Sequence, residues 1–273
     1  MLNKNIGFIG GGNMARSLIG GLISSGIKPD SIYVSDINAD TLSTLTTDFA
    51  VQACENNRQL LENCSIIVLS VKPQVMKDVV AALDISYKTD VMFITIAAGI
   101  RVESIQSWLG QDVAIVRAMP NTPALVQTGA TALYANGKTT EEQKDDAESI
   151  LRAVGLALWV DDESQMDAVT ALSGSGPAYL FLVMEAMEEA GIQLGLPQET
   201  ARLLAIQTAF GAAKLALEIE ESPAMLRELV TSPGGTTEQA LQVFSDSELK
   251  GIFNKAMTAA RNRAIDLANE LGK

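Results

Sequence analysis

Ile6-Gly7-Phe8-Ile9-Gly10-Gly11-Gly12-Asn13-Met14-Ala15 decides the fold. A short apolar run leads straight into a glycine turn, and the turn leads into a helical stretch, Arg16 to Ser25. A second apolar run, Ile32-Tyr33-Val34, ends at Ser35-Asp36. Strand, G-x-G-x-x-A, helix, strand and then an acid about 20 residues past the turn is the pattern of a dinucleotide-binding unit. Gly10 permits the tight strand-to-helix turn. Gly12 has no side chain, so a pyrophosphate can approach the backbone. Ala15 is small enough for the helix to pack close on the strand. Free N–H groups and the positive dipole end of the helix then face the phosphates, which makes Gly10, Gly11, Gly12, Asn13 and Met14 the candidate phosphate site. Asp36 can accept the ribose hydroxyls of NADH and would repel a 2′-phosphate. Ser35 and Asn38 could instead hydrogen-bond that phosphate, but no Arg follows in Ile37-Asn38-Ala39-Asp40. The residues lean toward NADH and leave NADPH open.

Outward from this unit, strand and helix patterns alternate over the first ~160 residues, which predicts a mostly parallel sheet. Strands are expected at 5–9, 31–35, 50–54, 65–71, 91–96, 112–118, 129–135 and 155–160, with helices between them. The last two strands flank one helix and should extend the sheet at its edge. After Asp161-Asp162-Glu163 the strand signals stop, and helices are expected at 163–192, 198–220, 223–230, 237–245 and 247–270. Ser173-Gly174-Ser175-Gly176-Pro177 should kink or break the first of these. The fold class is therefore α/β: a Rossmann-type doubly wound domain at 1–161, then an all-helical domain at 162–273. Apolar residues cover wide faces of 178–187 and 201–217, which suits mutual burial between two subunits or a thick core.

Composition narrows the function. The chain has 273 residues, 47% of them hydrophobic, enough for a core without covalent staples. Its net charge of −13 argues against nucleic acid or an anionic membrane as a general partner. Cys54 and Cys64 lie in apolar segments and read as buried free thiols, which fits a reducing cytoplasm. No apolar run approaches a membrane span, and the first strand begins too soon for a signal peptide. The sharpest constraint is that histidine is absent. No histidine general acid and no His-bound zinc are available, and two cysteines alone cannot build a metal site, so no metal is expected. The reaction must need little acid–base help, or draw it from Ser, Thr, Tyr, Lys or a carboxylate.

Ligands of a doubly wound sheet sit beyond the carboxyl ends of its strands. Ser70-Val71-Lys72-Pro73, Ala97-Ala98-Gly99 and Met119-Pro120-Asn121-Thr122-Pro123 lie along that edge. Each alone reads equally as a strand exit punctuated by proline or glycine. Together, beside a phosphate loop, they form the natural walls of a nicotinamide pocket. Lys72 reads as a solvated lysine before it reads as a general acid. In the helical half, Thr231-Ser232-Pro233-Gly234-Gly235-Thr236-Thr237 precedes a helix. Thr236 and Gln239 have capping-box spacing, so a helix start accounts for the segment. Exposed N–H groups at a glycine-rich helix mouth suit a carboxylate equally well. Tyr134-Ala135-Asn136-Gly137-Lys138 matches a Tyr-x-x-x-Lys catalytic pair, but Asn136-Gly137 is a turn dipeptide, and the pair needs a helix.

Nearly the whole chain resembles the pyrroline-5-carboxylate reductases. The resemblance rests on Gly7 to Ala15, Val71-Lys72-Pro73, Arg117 to Pro123, Ser173-Gly174-Ser175-Gly176-Pro177-Ala178-Tyr179 and Ser232-Pro233-Gly234-Gly235-Thr236-Thr237. It implies reduction of 1-pyrroline-5-carboxylate to L-proline with NADPH or NADH, the last step of proline biosynthesis. It also implies a helical domain that self-associates as a dimer or a ring of dimers. By position, Ser35 and Asn57 match family cofactor contacts, together with the loops at 70–73 and 97–99. Glu220, Ser232, Gly234, Gly235, Thr236 and Thr237 match the substrate region. The expectation is that N–H groups of Gly234, Gly235 and Thr236 take the substrate carboxylate, with Ser232 helping. Thr237 would then hydrogen-bond the ring nitrogen. A cyclic imine is basic enough to carry its own proton in part near neutral pH, which suits a chain without histidine. The same scaffold acting on another small imine or oxo acid, or sensing a dinucleotide without turnover, are the competing readings.

Overall fold

The computed structural model describes residues 4–88 and 90–273. Its eight strands are β1 (Ile6–Ile9), β2 (Ile32–Ser35), β3 (Gln52–Ala53), β4 (Ile66–Leu69), β5 (Met92–Thr95), β6 (Ala114–Met119), β7 (Gly129–Ala135) and β8 (Gly155–Trp159). Between them run α1 (Asn13–Ser24), α2 (Ala39–Phe49), α3 (Asn57–Asn63), α4 (Pro73–Ala81), α5 (Val102–Leu109) and α6 (Glu141–Arg152). The sheet order is β3-β2-β1-β4-β5-β6-β7-β8. β1 pairs in parallel with both β2 and β4, so the strand order reverses beside the glycine turn, the place where such sheets bind ligands. β7 runs antiparallel to β6, and β8 pairs with β7 in parallel, extending the edge as expected.

Burial on both faces explains why these strands read as unbroken apolar runs. Phe8, Val34 and Val68 face one layer, with Leu18, Ile19 and Ile150 from the helices. Ile9, Ile67 and Phe93 face the other, with Leu60, Met76 and Ile105. Cys54 and Cys64 are free and buried in that second layer, as expected. Burial pushes the Cys64 thiol up to about 12 and raises Cys54 as well, so neither supplies a thiolate near neutral pH.

After β8 come α7 (Gln165–Val169), a π-helical segment (Thr170–Gly174), α8 (Gly176–Gln193), α9 (Gln198–Glu218), α10 (Pro223–Leu229), α11 (Thr236–Asp246) and α12 (Leu249–Leu271). The expected interruption at 173–177 takes the form of the π segment, closed by a Ser175 N–H to Thr170 carbonyl bond of 2.8 Å. Compactness divides the chain later than the composition change at 161. One unit is Met1–Ser175 with Ala259–Lys273, and the other is Gly176–Thr258. Composition marks where strands end; packing continues past that point. Arg117 of β6 holds Glu163, and the Asn121 amide donates to the Ser173 carbonyl, so residues 163–173 stay with the sheet. The end of α12 buries Ala264 and Ala268 within the same unit. In the second unit α8 packs on α9, yet α8 buries no residue fully, and Leu180, Phe181, Leu182, Leu203, Leu204 and Phe210 stand exposed. Among the described residues no helix is long and apolar enough to cross a membrane.

Candidate functional site

The glycine turn is fixed from several sides. Gly10 has φ +99°, and a Cβ there would lie 2.9 Å from the Ser70 backbone. Its N–H donates to the Ser35 carbonyl at 2.8 Å. The Ser70 hydroxyl donates toward the carbonyls of Ile9 and Gly10, at 3.0 and 2.7 Å. Gly11 is crowded by Leu45 and Thr41, and its N–H donates to Asp36 Oδ2 at 2.7 Å. The other Asp36 oxygen accepts the Asn38 N–H at 2.8 Å. Both oxygens expected on a ribose are therefore already tied into the turn, and each keeps a further lone pair for a hydroxyl. Gly12 differs: no atom lies within 4 Å of where its Cβ would be, and it stands at the head of α1 without a side-chain cap. An open cleft of about 360 Å³ begins there, lined by Gly11, Gly12, Asn13, Arg16, Asp40 and Thr41. An uncapped helix start beside open space is what a pyrophosphate needs, so the residues fit a dinucleotide. Arg16 pairs with Asp48 and lies over the Phe49 ring. It brings a cation to the cleft that the motif alone does not single out.

The remaining expected cofactor residues fall along the same sheet edge. Ser35 Oγ donates to Asn57 Oδ1 at 2.8 Å, joining two positions 22 residues apart. Lys72 is exposed at the N-cap of α4, Pro73 occupies its first turn, and Val71 is half-buried. Ala97 and Gly99 are buried and Ala98 half-buried, with Gly99 at φ +74°. A Cβ on Gly99 would lie 3.4 Å from Leu267 of α12, and Arg101 donates to Asn269 at 2.9 Å. The Val102 N–H donates to Glu163 Oε1 at 2.9 Å, and Arg117 Nη1 reaches the same oxygen at 2.9 Å. Asp167 Oδ1 lies 4.0 Å from Arg117, buried and without a hydrogen-bond partner. Sequence reasoning missed this cluster. Its one signal was an arginine inside the apolar strand Ala-Ile-Val-Arg-Ala-Met, a residue buried only when paired.

The 232–237 turn is looser. Gly234 has φ +73° and open space at its Cβ position. Gly235 is the N-cap of α11, with no side-chain cap, so the expected Thr236–Gln239 capping box is not formed and the helix starts at Thr236. Two of the three N–H groups assigned to the substrate carboxylate are engaged within the chain. Gly234 donates to Glu238 Oε2 at 2.8 Å, and Gly235 to the Ser232 carbonyl at 3.0 Å. The glycine turn closes on itself, and a glutamate one helical turn on reaches back to it. The N–H groups that remain open are those of Thr236, Thr237 and Glu238, the first turn of α11. Thr237 is half-buried, while Ser232 and Glu220 are exposed. Glu220 lies in the bend after α9 and makes no hydrogen bond or ion pair with the turn. Tyr134 ends up on β7 and Lys138 beyond the Asn136 turn, paired with Asp112, so that pair shares no helix.

Known proteins match both halves of the chain and its full length. Residues 163–267 match the family model described as pyrroline-5-carboxylate reductase dimerisation, and residues 5–99 match one described as NADP oxidoreductase coenzyme F420-dependent. A pyrroline-5-carboxylate reductase of Pseudomonas aeruginosa is 48% identical over 273 residues, covering all of both chains. The Pasteurella multocida reductase is 44% identical, over 97% of this chain and 98% of that one. Among solved structures, a pyrroline-5-carboxylate reductase from Coxiella burnetii superposes with a TM-score of 0.94 at 50% identity, over 98% of this chain and 99% of that one. A Plasmodium falciparum pyrroline carboxylate reductase with NADP bound gives 0.86 at 27%, over 98% and 99%.

Proposed function

The chain belongs to the pyrroline-5-carboxylate reductase family, and we propose that it reduces 1-pyrroline-5-carboxylate to L-proline with NADPH or NADH, the last step of proline biosynthesis. The observation that carries this reading is likeness over the entire length to reductases of that name. Functionally, residues 1–161 hold the dinucleotide, and residues 162–273 supply the substrate contacts and the surface for self-association. The exposed apolar residues of α8 and α9, Phe181 and Phe210 among them, are what a second copy would cover. A reducing cytoplasm suits two buried free thiols.

Gly10 to Met14 hold the pyrophosphate at the head of α1. Ser35, Asp36 and Asn57 hold the ribose end, and the loops 70–73 and 97–99 form the walls at the nicotinamide end. The bound reduced nicotinamide supplies a hydride to the imine carbon. Ser232 and the open N–H groups of Thr236 and Thr237 receive the substrate carboxylate at the positive end of α11. Gly234 and Gly235 shape the turn that presents them, and Glu220, in the bend before α10, joins the substrate region by resemblance alone. Thr237 Oγ1 accepts the N–H of the protonated ring nitrogen, so the substrate brings its own proton and no histidine is required. Positioning then supplies most of the rate. Steady-state reduction of pyrroline-5-carboxylate with NADH and NADPH in parallel tests the reading. Cyclic imines bearing a carboxylate should be turned over best. A preference for a small oxo acid, or binding of NADH without turnover, would overturn it.

A further inference from the structure

We propose that Glu163 is a positioning residue for the 97–101 loop, and through it for the nicotinamide end of the dinucleotide. The proposal rests on the reading of that loop as a cofactor wall. Ala97, Ala98, Gly99 and Ile100 carry no polar side chain, and Arg101 is turned to Asn269, so residues 97–100 can offer a ligand hydrogen bonds only from their backbone. Its start is held by the Thr95 hydroxyl, which accepts the Ala97 N–H at 3.3 Å. Its middle passes Leu267 at Gly99. Its end runs into α5, whose N-cap residue, Arg101, offers no side-chain acceptor.

Glu163 fills that gap from 61 residues away. Its carboxylate sits at the positive end of α5, where a negative charge is favoured. The same Oε1 accepts from Arg117, which is 3% exposed. One carboxylate oxygen therefore fastens the start of α5 to β6, the strand next to β5. Asp167 makes the arrangement separable from simple stability. Its free oxygen lies 4.0 Å from the second Arg117 nitrogen, so the guanidinium keeps a neighbouring anion when Glu163 is truncated. Arg117 Nη1 then loses its bond but keeps a neighbouring charge, whereas the Val102 N–H, at the loop, is left with no acceptor.

The test compares two ligands titrated onto the full chain: NADH, and ADP-ribose, which lacks the nicotinamide ring. Glu163→Ala should weaken NADH about tenfold, the loss expected for one charge-assisted hydrogen bond, and leave ADP-ribose within about twofold. KM for NADH should rise more than kcat falls. Glu163→Gln keeps an acceptor at Oε1 and should restore NADH binding. Val102→Pro removes the donor at the first position of α5, where proline is tolerated, and should repeat the selective loss even if Glu163→Ala folds poorly. Equal weakening of both ligands, or no weakening of NADH in either variant, overturns the proposal. Wild-type chain that binds NADH but does not reduce pyrroline-5-carboxylate would instead overturn the assigned activity and leave the binding comparison intact.

Discussion

Asp36 and Glu238 occupy matching places at two helix mouths. Each carboxylate accepts an N–H from a glycine turn, Gly11 at 2.7 Å and Gly234 at 2.8 Å, just ahead of α1 and α11. The means differ. Asp36 comes from the neighbouring strand, 25 residues away, and the turn it holds is wedged against Ser70, Leu45 and Thr41. Glu238 comes from the helix the turn itself begins, four residues on, and nothing crowds Gly234. The first mouth is built by tertiary packing and is rigid. The second is a local, exposed turn whose shape depends on a few hydrogen bonds. A change at the first should cost the fold, and a change at the second should cost chemistry.

Gly10→Ala and Gly234→Ala put that contrast to its strongest test. Both positions have positive φ, but only Gly10 meets backbone within 2.9 Å. Strain plus overpacking there should cost roughly 3 kcal/mol or more. Gly234→Ala carries the conformational strain alone, about 1–2 kcal/mol. Thermal denaturation should show the first variant falling by about 6–10 °C and the second by less, about 2–6 °C. Equal losses would break the comparison.

Thr237→Ala examines the other side. Thr237 contributes no cap to α11, so its hydroxyl is free for a ligand. Losing one hydrogen bond to the reacting ring should lower kcat/KM about 10- to 100-fold, with melting within ~2 °C of wild type. Thr237→Ser should keep most of the activity. Unchanged kinetics in the alanine variant would remove the nitrogen contact from the reading.

The rigid mouth was also the more legible one. Parallel strands buried on both faces must be continuous apolar runs, so β1, β4 and β5 and the turn between β1 and α1 stand out in the residues alone. β3 shrinks to Gln52–Ala53 because both residues are exposed and only β2 pairs with it. Nothing local announced that Glu163 would serve Val102 and Arg117, since those partners lie 61 and 46 residues away. At the looser mouth the signal was present but ambiguous. Thr236 and Gln239 have the spacing of a capping box, while Gly234 and Glu238 have the spacing of one helical turn, and the second pair bonded. Spacing alone cannot rank two local hydrogen bonds of similar strength.

Asp36→Asn sharpens the comparison where the rigid mouth meets its ligand. The amide oxygen can keep the Gly11 N–H, but the charge at the end of β2 is gone. A 2′-phosphate placed near that strand end would no longer face a carboxylate. For charges a few ångströms apart at a protein surface, that relief amounts to about 1–2 kcal/mol. The ratio of kcat/KM for NADPH to that for NADH should rise about tenfold. An unchanged ratio would show that Asp36 serves the turn and not the choice of cofactor.

The smallest effect belongs to Glu238. Its carboxylate holds the Gly234 N–H that the substrate carboxylate was expected to use, and it places a negative charge beside the open N–H groups of Thr236 and Thr237. Two carboxylates at one helix mouth repel, and the resident one is exposed and screened, so the penalty is about 0.3–1 kcal/mol. Glu238→Gln keeps an oxygen for Gly234 and removes the charge. KM for pyrroline-5-carboxylate should fall about two- to fivefold, with kcat little changed and the gain shrinking as salt is raised. A rise in KM would mean the charged carboxylate is needed to shape the turn. The second mouth would then resemble the first, with its own anion serving as structure instead of competing with the ligand.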